Sequence, residues 1–480
     1  MRQGQVTRMS KTKRVDAMQR KIRKIHFVGI GGIGMSGIAE VLLNLGYVVT
    51  GSDLSPTDIT QRLASLGAAI FQGHQASHVG DADVVVTSTA VKPDNPEVLE
   101  AHVKSIPVIP RAEMLAELLK MKFSIAVSGS HGKTTTTSMI STVLAHGGFD
   151  PTMVIGGKLA SIGGNAKIGD GEVIVAEADE SDGSFLKLAP CLAVITNIDR
   201  EHLDYYRDIE EIKTAFLTFA NMVPFYGATM VCLDDPHVQE ILPAIKRRVV
   251  TYGLSTPADY QARDVELKGP NSVFTVYARG ERLGEAMLNV PGRFNVANAL
   301  ATIATAREMD MPFEAIRGGL LKYTGVGRRL ENKGTAAGVT VIDDYGHHPT
   351  EIRETLLAAR QVWPGRRIVV FQPHRYTRTQ KLFQEFLTAF PSADHLVITD
   401  IYAASEKAIE GVDAAGLAEG IRRSGHPDVV YISGFDEIVN HLLAIARPND
   451  VIITQGAGSI WKIGEAFLQR TAAAEQQESR

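Results

Sequence analysis

The sequence predicts an α/β protein of three domains, each built on a largely parallel sheet. Three observations carry that expectation. Two glycine loops, at residues 29–34 and 129–132, each stand between an apolar, β-branched run and an apolar-periodic helix pattern, the order that a nucleotide-binding unit requires. Strand-like and helix-like runs alternate along most of the chain, as βαβ units do. In the last third, four apolar runs each end in a polar or glycine-rich cluster, at the edge of a parallel sheet where ligands are met.

Length agrees with this division, because 480 residues are too many for one core and suggest about three domains at ~150 residues each. Apolar residues make up 44% of the chain, and 50 Lys and Arg stand against 54 Asp and Glu, so no nucleic acid partner and no membrane insertion are expected. Cys191 and Cys232 are too few for a disulfide framework and are expected in cores. Residues 1–23 are basic and polar without the apolar stretch of a secretory signal, and they are expected to form a disordered tail. The domains are then expected over 24–120, 121–326 and 327–480.

Residues 24–28 (KIHFV) read as a strand, GIGGIG follows at 29–34, and an apolar helix continues over 35–45. This is G-x-G-x-x-G in its proper setting, with Gly29 for the turn, Gly31 for close backbone approach and Gly34 for helix packing, and it makes domain one Rossmann-like. The strand at 47–50 leads to Ser52 and Asp53, and Asp53 lies about 20 residues past the glycines, where a ribose-binding carboxylate belongs. Alone, this pair would say NAD. A loop that holds another nucleotide's diphosphate, or that only closes a βα turn, outweighs NAD when the two are taken together. A strand over 83–88 brings Ser88, Thr89 and Ala90 to the same edge, and a helix over 111–120 leads out of the domain.

Domain two opens with FSIAV at 123–127, SGSHGKTTTT at 128–137 and a helix over 138–146. Val127 stands where GxxxxGK[ST] would have its first glycine, so the loop is the shorter G-x-x-G-K-T. Backbone amides from Gly129 to Gly132 would face a polyphosphate at the helix N-terminus. Lys133 would supply a point charge to the phosphates, and the Thr134 hydroxyl would ligate Mg²⁺. EVIVA at 172–176 runs into Glu177, Asp179 and Glu180, and an acid at the end of a buried strand beside a phosphate loop is suited to Mg²⁺. His202 follows the strand at 191–196 among three acids and reads either as a metal ligand or as a surface or capping residue. Residues 260–290 alternate between turn signals, which predicts small antiparallel strands. A helix over 296–309 has Asn295 and Asn298 at its start, to meet an adenine edge or, for Asn295, to cap the helix. GVGRR at 325–329 reads as a hinge.

In domain three the strands at 339–343, 367–371, 395–399 and 451–454 end in Asp344-Tyr345-Gly346-His347-His348, Gln372-Pro373-His374-Arg375, Asp400-Ile401-Tyr402 and Gln455-Gly456. An edge so rich in Arg and His suits a carboxylate-bearing substrate.

GIGGIGMSGIAE, RAEMLAEL, SGSHGKTTTT, AEADESDGSF, TNIDREHLDYY, DDYGHHPTEI and FQPHRYTRT, in that order over nearly the whole chain from about residue 24 to about residue 470, resemble the Mur ligases of peptidoglycan synthesis. The resemblance implies a Rossmann-like N-terminal domain, a central P-loop ATPase-type α/β domain and a C-terminal Rossmann-like α/β domain. It also implies a cytoplasmic enzyme, monomer or homodimer, that joins L-alanine to the lactyl carboxylate of UDP-N-acetylmuramate with ATP and Mg²⁺ or Mn²⁺. In that picture Gly31, Gly32, Gly34, Asp53, His74, Ser88 and Arg111 surround the UDP-sugar. ATP lies on Gly129, Ser130, His131, Gly132, Lys133, Thr134 and Thr135, with Asn295, Arg328 and Asp344. Thr134, Glu177 and His202 hold the metal. Tyr345, His347, Arg375 and Arg378 receive the amino acid, and His347 is the base, with His348 and His374 as alternatives. Family members that add later residues carry a carbamylated lysine where this chain has Phe216, and the alanine-adding branch lacks it. The rival within the family is a ligase that recycles a preformed tripeptide.

Overall fold

The computed structural model describes residues 22–88, 90–159 and 164–478, so the tail expected over 1–23, apart from its last two residues, and Thr89 lie outside the described residues. Two compact units form. One comprises the described parts of Met1–Ala126, Phe149–Glu177 and Lys187–Cys191, and the other the described parts of Val127–Gly148, Ala178–Leu186 and Leu192–Arg480.

In the first unit β1 (Lys24–Val28), β2 (Val48–Asp53), β3 (Ala69–Gln72), β4 (Val84–Thr87) and β5 (Val108–Pro110) form a parallel sheet in the order β3-β2-β1-β4-β5. Reversal of the strand order beside β1 puts the loop after β1 at the point where such sheets bind ligands. The strand β2 runs to Asp53, three residues further than the alternation in sequence suggested, so that Asp53 stands on the sheet's edge itself. After β6 (Phe123–Ser128), which leads into the phosphate loop, the unit gains β7 (Thr152–Leu159), β8 (Gly164–Lys167) and β9 (Val173–Glu177); β7 pairs with β9 in parallel and with β8 antiparallel.

The second unit holds β10 (Leu192–Ile195), β11 (Ala228–Cys232) and β12 (Val249–Gly253), which are parallel and joined by β13 (Tyr260–Lys268). The strands β13, β14 (Asn271–Ala278) and β15 (Glu281–Leu288) are antiparallel, as the turn signals predicted.

A separate sheet of β16 (Glu331–Ala336), β17 (Val339–Asp344), β18 (Arg367–Phe371), β19 (His395–Ile398), β20 (Val429–Tyr431) and β21 (Val451–Gln455) runs in the order β16-β17-β21-β18-β19-β20. Of these strands β16 alone is antiparallel to its neighbour. Alternate residues of β18 enter different cores: Val369 and Phe371 pack with Leu356 and Phe386, whereas Ile368 and Val370 pack with Leu442 and Phe467. Both faces are therefore buried, which is why these strands read as continuous apolar runs. Burial of each such side chain stabilises by about 1.5–3 kcal/mol, and truncating Phe371 to Ala would cost about 3–5 kcal/mol. The expectation for the cysteines holds for Cys232, which is buried, but Cys191 is only half-buried. It lies at a turn before β10, where Ser124 Oγ accepts its backbone N–H.

Candidate functional site

The phosphate loop is held from below by the residues that follow β10. Thr196 Oγ1 donates to the His131 carbonyl at 2.6 Å, and Asn197 both donates to that carbonyl and accepts the His131 amide at 2.8 Å. Gly129 is left-handed at φ +136°, and a Cβ there would lie 1.9 Å from Thr196 Oγ1, so the approach of the two strands' ends admits only glycine. The helix Lys133–His146 starts immediately after Gly132, earlier than the sequence reading placed it. Lys133 Nζ turns back over the loop, donating to the Gly129 carbonyl at 2.6 Å and to Glu180 Oε1 at 2.8 Å.

Beside this loop is a cavity of about 470 Å³, within the usual range for a small-molecule site. Its walls include His131, Gly132 and Thr135, with Asn295, Asn298, Tyr323, Arg329 and Asp344 facing them. Asn295 is not the helix cap. The helix Arg293–Glu308 is capped by Gly292 at φ +101°, and Asn295, buried in the first turn, donates to the Pro291 carbonyl at 2.7 Å. Arg328, expected at the ATP phosphates, is turned elsewhere. Its backbone is left-handed, and its guanidinium is bound by Asp343 Oδ2 at 2.8 Å and the Gly456 carbonyl at 2.7 Å, so Arg329 lines the cavity instead. Asp344 accepts the Leu330 amide at 2.9 Å, and burial pushes its carboxyl up to about 6.

Acids and histidines cluster on the far side of the loop. Ligand atoms of Asp179, Glu180 and His202 lie within 4.8 Å of one another. Glu180 Oε1 is 3.3 Å from His202 Nε2 and also holds Lys133, while its Oε2 is buried with no hydrogen-bond partner among the described residues. An orphaned carboxylate oxygen beside a second acid and an imidazole fits a hard divalent cation. Glu177, the acid chosen from the sequence, is the last residue of β9 and is half-buried. His131, Glu201 and His348 also approach within 4.8 Å, yet each has a role already. His131 is bound to Asp199 Oδ2 at 2.9 Å; burial pulls this imidazole down, but Asp199 and Glu351 outweigh it and raise it to about 10. Glu201 accepts from Arg378 at 2.6 Å; although burial pushes its carboxyl up, the guanidinium holds it well below the usual range.

The residues expected to receive an amino acid are brought together. Tyr345 and His347 have ring centroids 5.6 Å apart, His347 and His374 also 5.6 Å, and Arg378 Nη1 donates to His374 Nδ1 at 3.1 Å. Arg375 pairs with Asp204 at 2.9 Å. Hydrogen-bond partners separate the three candidate bases. The His374 Nδ1 accepts from an arginine, and the His348 Nδ1 accepts the Thr350 amide, so in the neutral rings both protons sit on Nε2. His347 Nδ1 instead faces the Tyr345 carbonyl at 3.1 Å and must donate to it, leaving the lone pair on Nε2. Burial, then Arg378, lowers His347 to about 4, so the ring is neutral at neutral pH.

In the first unit, Asp53 Oδ2 accepts the Gly31 amide at 2.8 Å. A Cβ on Gly31 would come within 2.8 Å of that oxygen, and one on Gly34 within 2.3 Å of Arg111 Nη1. Gly34 thus admits the arginine, in addition to the helix packing read from its spacing. Gly32 caps the helix Ile33–Asn44, Ser88 follows β4, and His74 Nδ1 lies 2.9 Å from Ser52 Oγ.

Residues 24–123 match the Mur ligase family, catalytic domain, 127–306 the Mur ligase middle domain, and 328–458 the Mur ligase, glutamate ligase domain. A UDP-N-acetylmuramate--L-alanine ligase of Syntrophus aciditrophicus (strain SB) is 67% identical over 455 residues, 95% of each chain. The chain belongs to the Mur ligase family. Among solved Mur ligases, UDP-N-acetylmuramate-alanine ligase of Thermotoga maritima superposes with a TM-score of 0.78 at 31% identity, over 94% of this chain and 99% of that one. A murein peptide ligase of Psychrobacter arcticus reaches 0.67 at 25% identity, over 93% and 98%. The three-domain α/β fold is that of the family.

Two features bear on the branch of the Mur ligases. Phe216 is fully buried against Phe185, with ring centroids 5.4 Å apart, and Lys213 is committed to Glu210 and Glu240. Neither supplies a lysine to the site. Sequence reasoning passed over Arg329 and Tyr323 in the cavity wall and Glu97 behind His74. The doubled Arg328-Arg329 was a visible signal, but which arginine turns inward depends on the backbone twist at Arg328.

Proposed function

We propose that this Mur ligase is the alanine-adding enzyme, an ATP-dependent carbon-nitrogen ligase. It joins L-alanine to the lactyl carboxylate of UDP-N-acetylmuramate and yields UDP-N-acetylmuramoyl-L-alanine, ADP and phosphate. The observation that carries the reading is the cavity bounded by the phosphate loop on one side and by Arg329 and Asp344 on the other, in a chain 67% identical to a ligase of that name. The greater likeness to the alanine ligase than to the murein peptide ligase, 31% against 25% identity, supports this branch.

In the first step a carboxylate oxygen attacks the γ-phosphorus of ATP and the bond to ADP breaks, leaving an acyl phosphate. Lys133, carried on the helix that begins at the loop, and the loop amides offset the charge that would keep two anions apart. A divalent cation on Glu177, Thr134 and His202, or on Asp179 and Glu180 beside His202, would add to that neutralisation. In the second step the α-amine attacks the acyl carbon, the C–N bond forms, phosphate leaves, and the nitrogen loses its proton. His347 Nε2 accepts that proton in this reading, its ring held by the Tyr345 carbonyl. Arg375 and Arg378 orient the alanine carboxylate, and the acids now paired with them exchange places with it.

UDP is assigned to Gly31, Gly32, Gly34, Asp53, His74, Ser88 and Arg111 in the first unit. Domains over 24–120, 121–326 and 327–480 and a cytoplasmic location accompany this reading; no helix among the described residues is long and apolar enough to cross a membrane. The test is phosphate release from MgATP with UDP-N-acetylmuramate, with and without L-alanine. Release that needs both, with the alanyl product seen by mass, is expected. Release with a tripeptide in place of alanine would give the recycling ligase.

A further inference from the structure

Behind the edge of the first unit's sheet lies a buried polar group that the reaction does not explain. Glu97, in the helix Pro96–Val103, is fully buried. Its Oε1 accepts the Gln75 amide at 3.3 Å and lies 2.9 Å from His78 Nδ1. Its Oε2 accepts from Ser52 Oγ at 2.6 Å and lies 3.4 Å from His74 Nδ1 and 3.6 Å from His26 Nε2. Burial pushes this carboxyl up, but His26, Ser52 and His78 outweigh it and leave it at about 2. At neutral pH Glu97 is a carboxylate and only accepts.

The protons can then be counted along the chain of bonds. A serine hydroxyl has one proton, and Ser52 gives it to Glu97. Towards His74 Nδ1, 2.9 Å away, Ser52 can therefore only accept, so Nδ1 carries the proton and the neutral ring keeps its lone pair on Nε2. His74 follows β3 on the edge that carries the glycine loop, where the Ser52 carbonyl accepts the Gly29 and Ile30 amides at 2.8 and 3.0 Å. The His74 side chain keeps 19% of its surface exposed while Glu97 keeps none.

We propose that Glu97 is a positioning residue of the sugar-nucleotide site: through Ser52, and through its own Oε2 beside Nδ1, it sets the tautomer of His74 and so presents Nε2 as an acceptor for an N–H or O–H donor of the UDP moiety. The inference rests on the reading that the first unit holds UDP. The donor is the uracil imide N–H or a ribose hydroxyl, and the chemistry excludes the diphosphate, which has no proton to give at neutral pH.

Glu97→Gln inverts the relay. The backbone N–H of Gln75 can only donate, so the carboxamide oxygen stays on that side and its NH₂ group faces Ser52. Ser52 then has to donate to His74 Nδ1, and the ring proton moves to Nε2. Histidine side-chain ¹⁵N NMR on the full chain, with His74 assigned by the signal lost in His74→Asn, reads this directly. Nδ1–H is expected in the wild type and Nε2–H in Glu97→Gln. Calorimetry is expected to give about tenfold weaker UDP binding to Glu97→Gln, the scale of one hydrogen bond. A similar loss is expected for wild type with either N3-methyl-UDP or 2′-deoxy-UDP, whichever lacks the donor. An Nε2–H tautomer in the wild type overturns the proposal even if Glu97→Gln does not fold. An uninverted tautomer in folded Glu97→Gln, with UDP binding still weakened by His74→Asn and Arg111→Ala, overturns the relay alone. Inversion with UDP binding unchanged in all three variants overturns the placement of UDP.

Discussion

The chain contains two strand, glycine loop and helix units that look alike in sequence, and they differ in the sign of the charge brought to the loop. In the first unit the side chain on the loop is an acid, Asp53, which takes up the Gly31 amide. In the second it is a base, Lys133, lying across the Gly129 carbonyl and bound to Glu180. A loop whose amide is already given to a carboxylate is poorly suited to a triphosphate, whereas one crowned by a lysine is suited to it. Glycine spacing thus makes room for a nucleotide, and the neighbouring charge selects which part of it is bound.

The largest expected effect lies in the second loop. Lys133→Ala should lower ADP formation on the order of 10³-fold, while Asp53→Asn at saturating UDP-N-acetylmuramate should leave it nearly unchanged. Substantial turnover by Lys133→Ala in an ADP-release assay would remove the distinction between the loops. Next, Glu177→Ala should raise the Mg²⁺ concentration for half-maximal rate by about 10- to 100-fold. An unchanged metal dependence would pass the ligand role to Asp179 or Glu180, which already stand beside His202.

The loops should also differ in their tolerance of a methyl group. Gly129→Ala meets both a left-handed backbone at φ +136° and the Thr196 backbone N at 3.0 Å, and it should cost about 2 kcal/mol. Gly31→Ala meets chiefly the carboxylate of Asp53, which can swing aside, so thermal denaturation should show the smaller loss for it. Equal losses would mean that the two loops are equally rigid.

The smallest effect is a pH dependence confined to the second loop. The folded value of His131, about 10, stands above the ordinary ~6.5, so the stabilisation from its pairing with Asp199 and Glu351 is complete below about 6.5 and is lost as pH rises towards 10. His131→Asn should flatten that decline in a denaturant midpoint measured across the range. A slope that survives the substitution would assign it to another group.

Much of the fold was legible because the strands in the last third are buried on both faces and so appear as uninterrupted apolar runs. The strands β3, β5, β7, β8, β11, β12, β16 and β20 were not read. TMVIGGKL, GNAK and ENKGTA carry glycines and charged residues that break both the apolar run and the alternation a strand would show, and their pairing is decided by the neighbouring strand. ATMVC at Ala228–Cys232 is apolar but so short that it resembles a piece of buried helix. Among site residues, the phosphate loop was plain from its order alone, whereas Arg329 was concealed behind Arg328 and Glu97 gave no local signal at all.

The order of the three domains, the phosphate loop with its lysine, and the family all follow from the chain read as a string, because each depends on residues adjacent in it. Folding in three dimensions was needed to establish which arginine lines the cavity, which histidine keeps a free lone pair, and which acids stand beside His202. Those answers depend on hydrogen bonds between residues far apart in sequence, such as Arg328 to Gly456 and Arg378 to Glu201, and on burial that sets the charge of each group.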